Sequence, residues 1–447
     1  MLNASPHIPP VAQTPNAASF PFTFINSLGT YVVTSSGLYF LTSKGYGFSE
    51  VKNYLLAVFL GVTYILGAKA ASKARGSLAT LIPGFTHRGL LVLLMILLGS
   101  LCLLPIASDL LTTSNGPAGD DDAQIAATIA QADTHPAEWP IWVMVLLYSP
   151  LMGILWPVVE TYLSGGRSDR ALRSTMGHWN VVWSAAGVAS TFMIAPLVAS
   201  APALAIALVT VAHALAAFFL FGFTPEPAPH LEGHHEPHPP VYSKLLVTFQ
   251  LLLPMGYVVM SALGPYLPYA ARRLDLPAHW HAYLPAAWII PRVVMFAVMQ
   301  RWETWHGQWS LAVLSGVSLV LAFAIAILAT IVGGSAGFYL LILGLALFGA
   351  AMAVIYSAAL YYALEVGRSD VDAGGTHEAL IGVGYTVGPA LGLGASYAAA
   401  KGLLSDNAAQ ALVLACVLLL AAAITGLVVQ RVRRLAVPAA PSSSPAD

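Results

Sequence analysis

The sequence predicts an all-α polytopic membrane protein in which twelve transmembrane helices form two pseudo-symmetric bundles of six. Three observations lead to this fold class. Only 9% of the 447 residues are charged and 57% are hydrophobic, whereas soluble domains contain about 45–50% apolar residues. Long apolar stretches separate the charges, which repeated membrane crossing requires because a charge at the bilayer centre is costly. Finally, a short motif recurs at the same position of each half.

Twelve segments are apolar and long enough to cross a bilayer, since a spanning helix needs about 20 such residues. The six in the first half are Phe20–Leu41, Val51–Ala70, Gly89–Leu111, Pro140–Leu163, Met176–Ala199 and Ala203–Phe223. The six in the second half are Leu245–Tyr269, His279–Gln300, Trp309–Val332, Phe338–Leu364, His377–Ala400 and Ala408–Val429. They define an N-terminal bundle of residues 20–223 and a C-terminal bundle of residues 242–434.

Polar segments flank and join the two bundles. Residues 1–19 and 435–447 are expected to be disordered tails, and residues 224–241, rich in proline and histidine, a cytoplasmic linker. Histidine tracts can bind metal ions, but an ordinary solvated linker is the expected explanation of this composition. The linker histidines are His230, His234, His235 and His238.

Basic residues cluster in alternate gaps between the apolar segments. The richer clusters contain Lys69, Lys73, Arg75, Arg88, Arg167, Arg170, Arg173, Lys244, Arg301, Arg368, Arg431, Arg433 and Arg434. Under the positive-inside rule these gaps face the cytoplasm, which places both termini there, in the inner cell membrane. The net charge of −1 gives no reason to expect nucleic acid as a partner.

The recurring motif indicates an internal duplication. Gly166-Arg167-Ser168-Asp169 follows the fourth candidate helix, and Gly367-Arg368-Ser369-Asp370 follows the tenth. A histidine is expected to open the next helix each time, His178 in the first copy and His377 in the second. Two related halves joined by a polar inner linker are an arrangement that transporters use around a site at mid-membrane.

With this organisation the chain resembles the major facilitator superfamily. Gly67, Lys69, Lys73 and Arg75 match the glycine and basic residues of that family's loop between helices 2 and 3, although the acidic residue is missing. The eleventh candidate helix, Gly382-x-Gly384-Tyr385-x-x-Gly388-Pro389-x-x-Gly392-x-Gly394, is similar to the glycine–proline pattern on helix 5 of the family's exporters. The resemblance implies a monomer with a central cavity lined by helices 1, 4, 7 and 10.

Candidate substrate-binding residues come from that resemblance and from one buried charge. On the four cavity helices the resemblance implies Asn26, Tyr31, Trp156, Gln250, Tyr257, Tyr356 and Tyr361. Arg292 lies near the middle of the eighth candidate helix, where ionisable residues usually serve function. It would neutralise an anionic substrate group or pair with a titrating carboxylate; a structural ion pair or a snorkelling side chain is the alternative.

Four residues are candidates for proton coupling: Glu160, His178, His377 and Glu378. Glu160 lies one turn before the inner end of its helix, where partial burial suits a coupling carboxylate. Its alternative is an ion pair with Arg167 or Arg170 at the cytoplasmic surface. Histidine titrates near neutral pH, while Glu378 at a helix N-terminus would also be favoured by the helix dipole alone.

Together these features predict a secondary active transporter that moves a small organic solute by alternating access. An ion gradient is the expected energy source because no phosphate-binding loop for ATP hydrolysis is present. Protons are the expected coupling ion, in symport or antiport. The alternative is a proton-driven exporter of amphipathic compounds, and a polytopic membrane enzyme is less expected. No cofactor or metal ion is expected, so the partners are the solute, protons and the lipid bilayer.

Overall fold

The computed structural model describes residues 12–34, 36–108, 137–167, 169–229, 239–366 and 371–436, and these ranges contain helices but no strand. The helices of the first half are α1 Asn16–Thr34, α2 Ser36–Gly45, α3 Glu50–Ala79, α4 His87–Leu101, α5 Trp139–Ser164, α6 Asp169–Ile194, α7 Leu197–Ser200 and α8 Pro202–Phe219. Those of the second half are α9 Pro240–Arg273, α10 Ala278–His281, α11 Ala286–Arg301, α12 Trp309–Val332, α13 Gly334–Val366, α14 Val371–Ala400 and α15 Asp406–Ala436.

Within the described ranges, ten helical segments are long and apolar enough to cross a membrane. They include α3, α5, α9, α13 and α14, and the chain is therefore a multi-pass membrane protein. The first and fifth expected crossings correspond to α1 with α2 and to α6, which fall outside that set of ten. The count of twelve crossings stays a prediction.

Several helices begin earlier than the sequence predicts, among them α1, α6, α9, α13 and α14. α1 starts at Asn16 rather than Phe20, so residues 16–19 belong to a helix and not to the expected tail. α6 includes Asp169, and α14 includes Val371. His178 therefore lies more than two turns after Asp169 in α6, and His377 lies more than one turn after Val371 in α14, so the expectation that they open these helices is wrong. Polar residues on an exposed face do not interrupt backbone hydrogen bonding, so these helices continue beyond their apolar part.

The basic residues assigned to the loop after the second candidate helix are helical as well. α3 continues to Ala79, so Lys69, Lys73 and Arg75 lie within its last turns. Its first turn is capped by Ser49, whose side chain accepts a hydrogen bond from the Lys52 amide at 3.3 Å. The turn that joins α3 to α4 is thus shorter than the sequence predicts.

Hydrogen bonds from Arg167 join residues 14–16 to the loop between α5 and α6. Its guanidinium, 7% exposed, donates hydrogen bonds to the carbonyls of Tyr162 and Leu163 at 3.2 and 2.9 Å. It also donates to the Thr14 carbonyl at 2.9 Å and to the Asn16 side chain at 3.1 Å. We call the end of the molecule where this loop lies the basic end.

Close helix contacts join the two halves on both flanks. On one flank α3 packs on α14. Tyr54 contacts Gly392 at one end of this interface, and Ala68 contacts Gly375 at the other. A Cβ at Gly392 would lie 2.1 Å from the Tyr54 ring, so only glycine allows this approach. On the other flank α6 packs on α11. The functional site lies between these two flanks.

Candidate functional site

A cavity of about 100 Å³ lies between the two halves. Five of the expected substrate-binding residues line it: Tyr31, Trp156, Tyr257, Tyr356 and Arg292. Further aromatic side chains complete the walls, namely Tyr39, Tyr64, Trp179, Trp183, Trp288 and Tyr385. Large apolar walls with a few hydrogen-bonding groups are typical of small-molecule sites.

Arg292 brings a positive charge to this cavity and contacts several of its lining residues. The residue is 2% exposed, and its Nε donates a hydrogen bond to the Ser184 hydroxyl at 2.9 Å. Its Nη2 donates to the Tyr31 hydroxyl. The guanidinium lies over the rings of Trp183 and Trp288, at 4.6 and 4.5 Å from their centroids. These contacts orient the guanidinium in a fixed plane and keep it out of lipid.

The charge of Arg292 has no carboxylate to balance it in the described part of the chain. No Asp or Glu oxygen there lies within ion-pair distance of the guanidinium. Stacking on aromatic faces stabilises a cation by roughly 0.5–2 kcal/mol, which is small against the cost of burying a charge. A ligand with an anionic group would supply the missing counter-charge.

Three of the four proton-coupling candidates meet next to this cavity. One carboxylate oxygen of Glu160, one of Glu378 and one ring nitrogen of His377 lie within 4.8 Å of one another. All three residues are buried. Glu160 comes from α5 of the first half and the other two from α14 of the second half. Glu378 also lines the cavity and accepts a hydrogen bond from the Tyr64 hydroxyl.

The polar atoms of this cluster are incompletely satisfied. In the described residues, no N–H or O–H group donates to either carboxylate oxygen of Glu160, and His377 Nε2 has no hydrogen-bond partner. Arg167 donates instead to main-chain carbonyls and Asn16, not to Glu160. A proton held between Glu160 and Glu378 would satisfy both carboxyl groups; geometrically, the same two carboxylates and one imidazole could also hold a cation.

His178 lies apart from that cluster. It is exposed, and its Nδ1 lies 2.7 Å from the Ser174 carbonyl oxygen within α6. Its Nε2 lies 3.5 Å from the Gln300 amide nitrogen of the second half, at the basic end. The structure thus separates His178 from the other three coupling candidates.

Three expected substrate-binding residues do not line the central cavity. Asn26 is fully buried in the first half, where its Oδ1 lies 3.1 Å from His213 Nδ1. The other ring nitrogen of His213 lies 2.9 Å from the Tyr148 hydroxyl. Gln250 is half-buried outside the cavity, and Tyr361 lines a different cavity at the basic end.

The sequence reasoning missed the contribution of α6 to the cavity. Trp179 and Trp183, four residues apart, share one face of this helix, and both line the cavity. Their spacing was visible in the sequence, but the resemblance pointed to other helices. Tyr64 of α3 and Tyr385 of α14 were missed for the same reason.

Comparison of the structure with solved structures identifies the fold. The human organic anion transporter MFSD10 superposes with a TM-score of 0.59 at 14% identity, over 92% of this chain and 98% of that one. The E. coli fucose:proton symporter FucP gives 0.53 at 13% identity, over 93% and 98% of the two chains. FucP in another structure is described as a major facilitator superfamily transporter. The chain has the major facilitator superfamily fold.

Other comparisons add breadth but no finer assignment. The nucleoside transporter NupG is similar with a TM-score of 0.57 at 11% identity, covering 94% of this chain and 99% of that one. No family model and no curated protein match the sequence. These similar structures are those of transporters for chemically different solutes. The major facilitator fold alone therefore does not indicate which solute this chain binds.

Proposed function

We propose that the chain is a secondary active transporter that carries a small organic anion across the membrane by alternating access, coupled to protons. The observation that carries this proposal is the cavity between the halves, lined by the buried Arg292, which lacks a carboxylate partner in the described residues. The transporter names of the structures with this fold support it over a membrane enzyme.

The aromatic walls define the remainder of the substrate. Trp183 and Trp288 cover the guanidinium, and Trp156, Tyr257 and Tyr356 extend the apolar surface. The charged group of the anion would bind Arg292, and its apolar part would pack against these rings. The same walls suit the alternative function, proton-driven export of amphipathic compounds.

The coupling step is assigned to Glu160, His377 and Glu378. A charged carboxylate pair buried between apolar helices is strongly unfavourable, so the closed arrangement requires a proton at the pair. Movement of the halves would separate Glu160 from the two residues of α14 and allow that proton to leave. Binding of the anion at Arg292, in the cavity that Glu378 also lines, would then be linked to protonation.

The substrate proposal predicts a loss of binding in Arg292→Ala. A thermal-shift screen of purified protein against organic anions identifies ligands, because a ligand that binds only the folded protein raises its melting temperature. Arg292→Ala should abolish the shift caused by anions. Arg301→Ala, which removes an exposed charge at the end of the same helix, is the control and should keep the full shift. An unchanged shift in Arg292→Ala would remove Arg292 from the site.

The coupling proposal predicts that Glu160→Gln uncouples transport from protons. In proteoliposomes this variant should exchange substrate across the membrane but fail to accumulate it in response to a pH gradient. His178→Gln is the matched comparison, since the structure places His178 apart from the cluster, and it should behave as the wild type. Accumulation by Glu160→Gln at the wild-type level would refute the coupling role.

A further inference from the structure

The central cavity is lined by one basic and one acidic side chain. Among its described lining residues, Arg292 of α11 is the only Lys or Arg, and Glu378 of α14 is the only Asp or Glu. Both are buried, and no oxygen of Glu378 lies within ion-pair distance of the guanidinium. The cavity therefore has two separate poles, a basic pole at Arg292 and an acidic pole at Glu378.

The acidic pole continues into Glu160 and lacks a cation. Oxygens of Glu160 and Glu378 lie within 4.8 Å of each other. In the part of the chain that the structure describes, no nitrogen of Lys, Arg or His lies within ion-pair distance of either carboxylate. With one proton shared by the pair, as the coupling proposal requires, one negative charge remains at this pole.

The balance of charge distinguishes a simple anion from a zwitterion as the ligand. A carboxylate at Arg292 neutralises the basic pole but leaves the remaining negative charge of the acidic pole without a partner. Burying an unpaired charge is costly. A ligand that carries an ammonium group as well as a carboxylate neutralises both poles at once.

An ammonium group also matches the hydrogen bonding of the acidic pole. The Tyr64 hydroxyl donates to Glu378, but among the described residues no group donates to either oxygen of Glu160. His377 Nε2 has no hydrogen-bond partner there either. Ionised carboxylates only accept hydrogen bonds, whereas an ammonium group offers three donors and no acceptor. The pole is therefore short of the groups that an ammonium supplies.

A chain of ring contacts connects the two poles along the cavity wall. The Arg292 guanidinium lies 4.6 Å from the centroid of the Trp183 ring, and that ring lies 5.1 Å from the Tyr356 ring. The Tyr356 ring in turn lies 5.2 Å from the imidazole of His377, which precedes Glu378 in the chain. The two charges of the ligand therefore belong at opposite ends of an apolar spacer, and not on one carbon atom as in an α-amino acid.

We infer that the ligand of the central cavity is a zwitterion, with a carboxylate bound by Arg292 and a primary ammonium group bound by Glu378 at the two ends of an apolar spacer. This inference rests on the proposed function, because it adds an ammonium group to the anion that Arg292 binds. It gives Glu378 a direct contact with the substrate in addition to its place in the proton-coupling cluster.

Three probes built on one aromatic ring test the inference. 4-(Aminomethyl)benzoate carries both charges, 4-ethylbenzoate has a methyl group in place of the ammonium, and 4-methylbenzylamine has a methyl group in place of the carboxylate. Isothermal titration calorimetry of the purified wild type gives their dissociation constants. The zwitterion should bind at least about tenfold more tightly than either singly charged probe, since each of these lacks a hydrogen bond between charged groups. This comparison needs no variant.

Variants then assign each charge of the ligand to its pole. Glu378→Gln should abolish the preference for 4-(aminomethyl)benzoate over 4-ethylbenzoate. Its affinity for 4-ethylbenzoate should be unchanged or higher, because a negative charge is removed from the cavity, and this retained binding shows that the variant is folded. Arg292→Ala should weaken the binding of both carboxylates. Glu138→Gln, which removes a carboxylate outside the cavity, is the control and should bind all three probes as the wild type does.

The outcomes separate this inference from the proposed function. Equal affinity of the wild type for 4-(aminomethyl)benzoate and 4-ethylbenzoate, with both lost in Arg292→Ala, would overturn the zwitterion and leave the anion site intact. Carboxylate binding that Arg292→Ala does not weaken would instead contradict the proposed anion site, and the inference with it. A preference for the zwitterion that persists in Glu378→Gln, or no binding of 4-(aminomethyl)benzoate to the wild type, would overturn the inference as well.

Discussion

At the scale of single residues, the environment of Asn26 shows how a polar side chain on a cavity helix can serve packing instead of binding. Its Oδ1 is held by His213, which in turn contacts Tyr148. All three residues are fully buried in the first half. They connect α1, α5 and α8, so their hydrogen bonds stabilise that half without reaching the cavity.

Asn26→Leu should therefore lower stability and leave ligand binding unchanged. Removing one partner of a buried hydrogen bond costs about 1–3 kcal/mol because the other partner stays unsatisfied. The measurement is the melting temperature without ligand and its shift on addition of the bound anion. Tyr31→Phe is the contrasting variant on the same helix, since it removes the hydroxyl that contacts Arg292 and should weaken the shift. A reduced shift in Asn26→Leu would return Asn26 to the binding site.

The sequence predicted charged site residues better than aromatic ones. Arg292, Glu160 and Glu378 stand out because an ionisable group inside an apolar segment is costly and needs a reason. Trp183 does not stand out, because an aromatic ring is equally acceptable against lipid, in the core or around a ligand. Which helix face points inward depends on packing between distant segments, and one sequence alone does not contain that information.

At the scale of helices, the crossing of α3 and α5 depends on two glycines. A Cβ on Gly67 would lie 1.9 Å from the Pro150 carbonyl oxygen, and one on Gly153 would lie 2.4 Å from the Tyr64 carbonyl oxygen. Main-chain atoms cannot move aside as a flexible side chain can. Gly67, which the sequence reasoning assigned to a family motif in a loop, therefore has a packing role inside a helix.

Gly67→Ala should destabilise the first half by about 1–3 kcal/mol, the usual cost of overpacking. Gly76→Ala is a control on the same helix, because a Cβ there meets no atom within 4 Å. It should be neutral or stabilising by up to about 1 kcal/mol, since alanine favours helix more than glycine. Thermal melting of both variants tests the pair. Equal melting temperatures for the two would contradict the close crossing.

Helix existence was easier to predict than helix ends. α12 begins and ends at Trp309 and Val332, as the apolar segment predicts. α6 and α14 extend farther at the basic end because their polar first turns stay helical outside the apolar region. Because of that extension, His377 and Glu378 lie in a buried position facing Glu160 and not at a helix start. The helix dipole, which was the alternative explanation for Glu378, therefore does not apply.

At the scale of the whole molecule, the prediction of an all-α membrane protein with this fold is confirmed. Apolar segments and charge placement suffice for it. The pairing of α3 with α14 and of α6 with α11 was not predictable, because it depends on shape complementarity between segments far apart in sequence. The second copy of the repeated motif, residues 367–370, lies outside the described residues, so the internal duplication stays a prediction.

The flank of α6 and α11 offers a direct test of alternating access. The halves contact each other at the basic end, through His178 and Gln300 at 3.5 Å, and at the opposite end, through the rings of Phe192 and Tyr283 at 5.4 Å. If the halves rock, each contact must open in one state of the cycle. A covalent link at either place should therefore stop transport.

Two double-cysteine variants, His178→Cys with Gln300→Cys and Phe192→Cys with Tyr283→Cys, should each lose most uptake when a reducible bifunctional thiol reagent joins the two cysteines, and regain it on reduction. Both native cysteines are replaced beforehand. The control links Tyr266→Cys to Thr330→Cys, whose hydroxyls lie 3.1 Å apart within the second half. This link does not join the halves, so uptake should persist. Full uptake with a complete link at either inter-half position would show that the halves do not separate there, and rocking about the central cavity would be excluded.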